Sequence, residues 1–509
     1  MQPPRTADQG GKFMSRINAN IPSMIAQRVS AQNNRALSGT LERLSTGYRI
    51  NRGSDSPAGL IISENLRGEA QGIRAAIGNA QRAEQVVNVA ESGLQEISNM
   101  LIEVQSLVGQ TANEAGVSRE EREANQLQID ALLSTVDRIS NTVAFQGTKL
   151  LNGNYDYTLA GSTTFNSGIS DITVNSIKLS DTGAARSVSV TVTQSAQRAA
   201  VALSTGATFL NGGSGAVTFE VAGDRGSQLF TFASGTTIAN IATAINDFSE
   251  ALGATATVSG NVVALRSNNF GSDQFIRVRE VANANVSRSY IRQINDAGAL
   301  TGTASDDVRD AGRDARVNIN GVVATARGLT ARVALDGFDV SVSLRGNGTG
   351  SFNTTNGTRT FQVTGGGADF NLSPDVNLAG KVSLGIETVN SGNLGNAALG
   401  YLSELKSGGT ANVENGNLTK AQEILDAVTK QVSSIRGRLG AFSKNVVGST
   451  VNSLSIALEN TVAAESAIRD TDFAAETAAM TRNQILVQAS TQALSLSNSA
   501  PQSVLSLMR

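Results

Sequence analysis

The chain offers a narrow range of chemistry. Its 509 residues include 43 acidic and 41 basic side chains, but no His, no Cys and no Trp. Without Cys there is neither a disulfide nor a thiol nucleophile. Without His the commonest general base and the commonest metal ligand are missing. Cys/His zinc sites and HExxH protease helices are therefore excluded. Carboxylate catalysis stays open, but it needs acids converging on one point. The densest charge run, DDVRDAGRD from Asp306 to Asp314, alternates in sign and reads as a solvated turn. Nothing else between residues 160 and 400 clusters carboxylates at a useful spacing. The chain reads as no enzyme, with no cofactor and no metal.

The more telling polar group is Arg49, Asn51, Arg52 and Asp55, within GYRINRGSDSPAG at 47–59. These residues combine turn chemistry with charges of both signs. Ser56 precedes a proline and is pushed out of helical geometry, whereas Pro57 suits the first turn of a new helix. Such a joint implies a helix on either side. Before it, Ile17, Ile21 and Met24, then Leu37, Leu41 and Leu44, recur at helical spacing. After it, apolar residues from Ile73 through Ala80, Val87, Leu94 and Leu101 to Val108 step by three and four. That is a sustained narrow seam, predicting a rod of roughly 50 Å at 1.5 Å per residue.

A turn at Gly116 and a second helix follow, with Ile129, Leu132, Val136, Ile139 and Val143 on one face. The C-terminal part repeats the style. Val428, Val432, Ile435, Leu439, Phe442 and Val446 form one stripe, and Val447, Val451, Leu454 and Leu458 continue on an adjacent one. Asp472 is placed to cap a last helix, whose seam includes Leu486, Leu496, Val504 and Leu507. A seam that reaches the last residues needs a partner, since free termini fray. The simplest expectation is that the two ends pair.

The middle is of another kind. VTFEV at 217–221 alternates as a strand, AGDRGS at 222–227 reads as a turn, and Thr236 or Thr237 is placed to cap a short helix through Ile238, Ile241 and Ile245. Ser259-Gly260-Asn261 reads as a hairpin turn. Gly, Thr, Ser and Asn dominate, which predicts one or two small β-rich domains. The fold class is α+β multidomain: N- and C-terminal helices paired in a coiled-coil stalk, with the β-rich part inserted between them. No run of about 18 apolar residues appears, so no membrane insertion is expected. The net charge of −2 gives no reason to expect nucleic acid.

Three stretches together carry a resemblance: INANIPSMIAQR at 17–28, ALSGTLERLSTGYRINRGSDSPAGLIISENLR at 36–67, and the tail AAESAIRDTDFAAETAAMTRNQILVQASTQALSLSNSAPQSVLSLMR. They closely resemble the two ends of bacterial flagellin. FEVAGDRGSQLFTFASGTTIANIATAIN, at 219–246, resembles the hook IN motif of flagellins and hook-associated proteins.

The resemblance implies a structural subunit that polymerises into the flagellar filament. Its termini would lie in the filament core and its middle would project outward. It further implies export through the flagellar apparatus without a cleavable signal peptide, an export chaperone, filament cap and hook-associated partners, and an extracellular location. On this pattern residues 1–13 are a disordered extension or a misassigned start before Met14. Residues 14–60 are the filament-core helix and spoke, where Arg49, Asn51, Arg52 and Asp55 would meet neighbouring subunits, 61–160 the N-terminal rod, and 161–400 the variable surface. Residues 401–468 are the C-terminal rod, and 469–509 the C-terminal core helix. The alternatives are the hook–filament junction protein, whose ends are similar, and a secreted binding or adhesive protein acting through its middle.

Many flagellins are recognised by an innate immune receptor through an Arg-bearing helix. Here the corresponding positions are Glu103 and Gln105. A charge reversal at such a contact predicts weak or absent activation.

Overall fold

The computed structural model describes residues 20–113, 116–161, 168–179, 184–204, 216–283, 291–294, 300–346, 358–396, 399–414 and 417–507, the last turns of the chain by backbone alone. Two compact units emerge, Met1–Gly78 with Val451–Arg509 and Asn79–Thr450.

The first unit is built from helix ends. Helix α1 (Ile21–Thr46) opens on Asn20, whose Oδ1 accepts from Ser23 N at 3.1 Å, and has Pro22 in its first turn. This side-chain cap satisfies one of the N–H groups that a helix start leaves without a partner. It closes on Gly47 at φ +76°, a left-handed conformation that glycine adopts without a Cβ penalty. Helix α2 (Pro57–Thr111) begins at the proline, with Ser56 Oγ accepting from Gly59 N. Asp472 Oδ1 caps the last helix, here numbered α8 (Phe473–Leu507), by accepting from Ala474 N and Ala475 N.

The second unit has a helical part with a dry seam. Ala80, Ala83, Ala90, Leu94, Ile97, Leu101 and Val104 of α2 are fully buried. Facing stripes come from helix α3 (Arg119–Thr142) and from helix α6 (Leu418–Ala441). Asn125 Nδ2 donates to Thr111 Oγ1, and Gln105 Nε2 donates to Asp426 Oδ1, tying α3 and α6 to α2. On α3 the buried line runs Ile129, Leu133, Val136 and Ser140, so Leu133 replaces the expected Leu132. After α6 the chain winds as a π segment, Phe442–Gly448, before helix α7 (Ser449–Arg469). A wider turn rotates the apolar face, which is why Val447 rather than Val446 is buried and why the sequence shows two adjacent stripes.

The β-rich part is two modules, one inserted in the other. The inner module is a sandwich of a five-stranded and a four-stranded sheet, contributed by residues 158–194 and 316–365. Val188, Val190, Val317, Val340, Val342 and Phe361 fill it. The outer module spans 200–311 and pairs a five-stranded sheet with a four-stranded one. Strand Val217–Ala222 alternates buried and half-buried, as its sequence predicts. Ser259 pairs with Val262 around the expected hairpin turn. The short helix α4 (Ile238–Asn246) is capped by Thr237, and its Ile238, Ile241 and Ile245 enter the outer core.

Candidate functional site

The terminal helices pair, but not through their apolar stripe. On α1 the buried residues are Ser23, Ser30 and Thr40, and on α8 Ser490 is buried. Small side chains let two helices approach closely. The contact is then fixed by hydrogen bonds: Asn20 Nδ2 donates to Ser497 O at 3.0 Å, Ser23 Oγ to Asn498 Oδ1 at 2.7 Å and Asn33 Nδ2 to Leu486 O at 3.2 Å. Arg43 Nε meets Glu476 Oε1 at 2.7 Å.

Five residues of the seam predicted from sequence are left exposed. Ile21 is 53% exposed, Met24 66%, Leu41 48%, Leu486 43% and Leu496 73%. Leu37 and Leu44 are half-buried. Ile17 lies outside the described residues, as do the side chains of Val504 and Leu507. Exposed Ile25, Val29 and Ile485 extend the same apolar surface. Between α1 and α8 a groove of about 470 Å³ is lined by Pro22, Ile25, Ala26, Val29, Ser490, Ala493 and Ser497. Helix α7 has no buried residue at all. Large apolar side chains left exposed together mark an interaction surface.

At the joint the four polar residues are all engaged inside the chain. Asp55 Oδ2 accepts from Asn51 N at 3.0 Å and from Arg52 N at 2.9 Å. These two backbone hydrogen bonds hold its carboxyl below the usual carboxylate range. Asn51 Nδ2 donates to Tyr48 O, and Arg52 pairs with Glu42 at 3.0 Å. Arg49 Nη2 reaches Ile468 O at 2.5 Å, and Arg49 N donates to Arg469 O at 2.7 Å. Tyr48 bridges to Asp470, and the Arg469 guanidinium lies 4.7 Å from the Tyr48 ring centroid while Nη1 holds Glu64 Oε1 at 3.1 Å. The outgoing and returning chains are thus stitched together at one corner. The loop N–H groups of Asn51 and Arg52, which neither helix bonds, find their acceptor in Asp55, and the Tyr48 carbonyl just past α1 finds its donor in Asn51. Sequence reasoning missed Arg469, Tyr48 and Glu64, because their partnership spans some four hundred residues and leaves no local pattern.

Elsewhere, Glu103 is exposed on α2, whereas Gln105 is half-buried and engaged with Asp426. No helix among the described residues is long and apolar enough to cross a membrane.

Two family models match the chain: the bacterial flagellin N-terminal helical region over residues 17–156 and the bacterial flagellin C-terminal helical region over 422–508. Among curated relatives, B-type flagellin of Pseudomonas aeruginosa is 29% identical over 536 residues, covering 97% of this chain and 99% of that one. Polar flagellin B/D of Vibrio parahaemolyticus is 28% identical over 492 residues, with the same coverage of each. Among solved structures, the D2–D3 domains of the Escherichia coli flagellar cap protein FliD align at a TM-score of 0.27 and 15% identity, over 41% of this chain and 97% of that one.

Proposed function

The chain belongs to the bacterial flagellin family and is a subunit of the flagellar filament, and from that premise we propose how it assembles. The observation that carries the proposal is the reversed packing of α1 on α8. Small polar residues hold the pair together, so the large apolar ones remain available to other subunits. Fully burying an Ile, Leu or Met side chain is worth about 1.5–3 kcal/mol. Residues already half covered return less, yet Ile21, Met24, Ile25, Val29, Leu41, Leu486 and Leu496 together are enough to drive polymerisation. The corner at Arg49–Asp55 serves as a rigid brace within each subunit, which keeps that surface in one shape for every neighbour.

The remaining roles follow the family. Residues 14–60 and 469–509 form the filament core, and the β-rich middle faces outward. Export through the flagellar apparatus occurs without a cleavable signal peptide. A chaperone shields the apolar tail helix until assembly, and the filament meets cap and hook-associated proteins at its ends. The function is polymerisation and torque transmission, not catalysis.

The test is seeded polymerisation of the chain starting at Met14, imaged by negative stain. Long filaments of uniform width are expected, and a chain truncated before Leu486 should give none. Persistent monomer from the intact chain at high concentration, with its middle modules folded, would overturn the reading in favour of a junction or binding protein.

A further inference from the structure

The outer β module hangs from the inner one by two chain crossings, at residues 195–199 and 312–315. They bridge each other, with Gln197 N donating to Arg313 O at 2.8 Å and Arg313 N to Gln197 O at 3.0 Å. Two paired strands alone would make a pivot. A third connection removes that freedom. The loop at 268–274 joins outer-module strands Val262–Ser267 and Phe275–Asn283, and it turns back onto the inner sandwich. Phe270 packs against the inner core, beside Leu329 and below the Arg198 guanidinium, which lies 4.5 Å from its ring centroid.

Asp314, on the returning crossing, ties the pieces together. Its carboxylate accepts from Ser272 N at 3.0 Å and Ser272 Oγ at 2.5 Å on the loop, and from Gly328 N at 2.7 Å on the inner module. Gly271 sits at φ +117°, and a Cβ there would lie 2.8 Å from Gly328 Cα, so the two backbones are in contact. Arg327 adds an exposed ion pair to Asp273 at 2.7 Å.

We infer that the 268–274 loop is a latch: Phe270 plugged into the inner sandwich and Asp314 stapling the loop to it make the two β modules one rigid body. Any swing of the outer module must peel an aromatic ring off the inner core and break the hydrogen bonds of Asp314 either to Ser272 or to Gly328. Those costs coincide, so the neck does not flex by small steps. The consequence is that the outer module is presented at one fixed attitude. It does not trail as a tethered bead.

The absence of cysteine makes the test direct. Spin labels at Val258→Cys in the outer module and Leu335→Cys in the inner one, both exposed, report the distance distribution across the neck in the full-length chain. One narrow peak is expected. Phe270→Ala should at least double its width, while Phe270→Leu, which keeps an apolar plug, should leave it narrow. Circular dichroism checks that both modules stay folded. If Phe270→Ala does not fold, Asp314→Ala decides, because it leaves the apolar contact intact: broadening supports the latch and an unchanged width overturns it. A parent distribution as broad as that of either folded variant also overturns it.

Discussion

Single side chains in this molecule act mostly by satisfying backbone that helix ends and turns leave open. Asp55 is the plainest case. Its carboxylate takes two N–H groups at the joint, and those bonds favour the ionised form. Because its folded pKa is depressed, the stabilisation is complete above the ordinary carboxylate range and is lost as pH falls through the folded value. Asp55→Ala should therefore lower the protection factors of the Asn51 and Arg52 amides, and acidification of the parent should do the same once intrinsic exchange is corrected for pH. Equal exchange rates in both proteins at neutral pH would count against the brace. Tyr157 is the opposite case. Burial in the inner sandwich pushes its phenol up to about 12, against an ordinary 10.0, while its oxygen accepts from Ile177 N at 3.0 Å. A raised folded pKa gives stability that is intact below pH 10 and is lost as pH rises towards 12. The inner module of the parent should lose stability in that window, and Tyr157→Phe should lose less.

At the scale of elements, what matters is which face a helix spends on its own chain. Helix α1 commits Ser23, Ser30 and Thr40 to α8 and keeps Leu41 and Met24 outside. The two faces should fail differently. Leu41→Glu should leave the thermal melt of the monomer within about 0.5 kcal/mol of the parent, as exposed substitutions usually do. It should still raise the critical concentration for polymerisation at least tenfold. Ser30→Leu puts a bulkier, branched side chain into a close helix contact, where overpacking typically costs about 1–3 kcal/mol. It should lower the melting temperature of the α1–α8 pair in the monomer itself. If both variants polymerise normally, the division of faces is wrong. The seam of α2 offers no such choice, since Leu94, Ile97 and Leu101 are fully buried within the subunit.

For the whole molecule, the same surface logic extends to recognition from outside. Glu103 is exposed on α2, and on the resemblance it is an anion at the position where many flagellins present a cation to an innate immune receptor. The neighbouring Gln105 is occupied by Asp426 and is not free to compensate. A receptor reporter line should respond weakly or not at all to this chain, and Glu103→Arg should restore part of the response. A full response from the parent at ordinary flagellin doses would reject the prediction. The assembly reading is independent of that result, because Glu103 lies away from α1 and α8 in sequence and in unit.

Much of this was written locally and was legible without coordinates. The absence of His and Cys closed whole classes of chemistry, and helical spacing placed the long helices. Pro57, Asp472 and Thr237 marked helix starts that the structure keeps, because capping is settled within three or four residues. The polar joint was equally plain, and so was the β-rich character of the middle. What spacing could not reveal is direction. A stripe of Ile, Met and Leu is identical in sequence whether it is covered by its own chain or saved for another. Only the structure, with Ser23 and Ser30 buried and Met24 and Leu41 exposed, shows how little of it this chain covers. The brace of Arg49, Tyr48, Arg469 and Glu64, the nesting of one β module in the other and the Phe270 latch were likewise decided by tertiary structure. Each depends on residues dozens to hundreds of positions apart meeting in space, and such meetings leave no period in the chain that makes them.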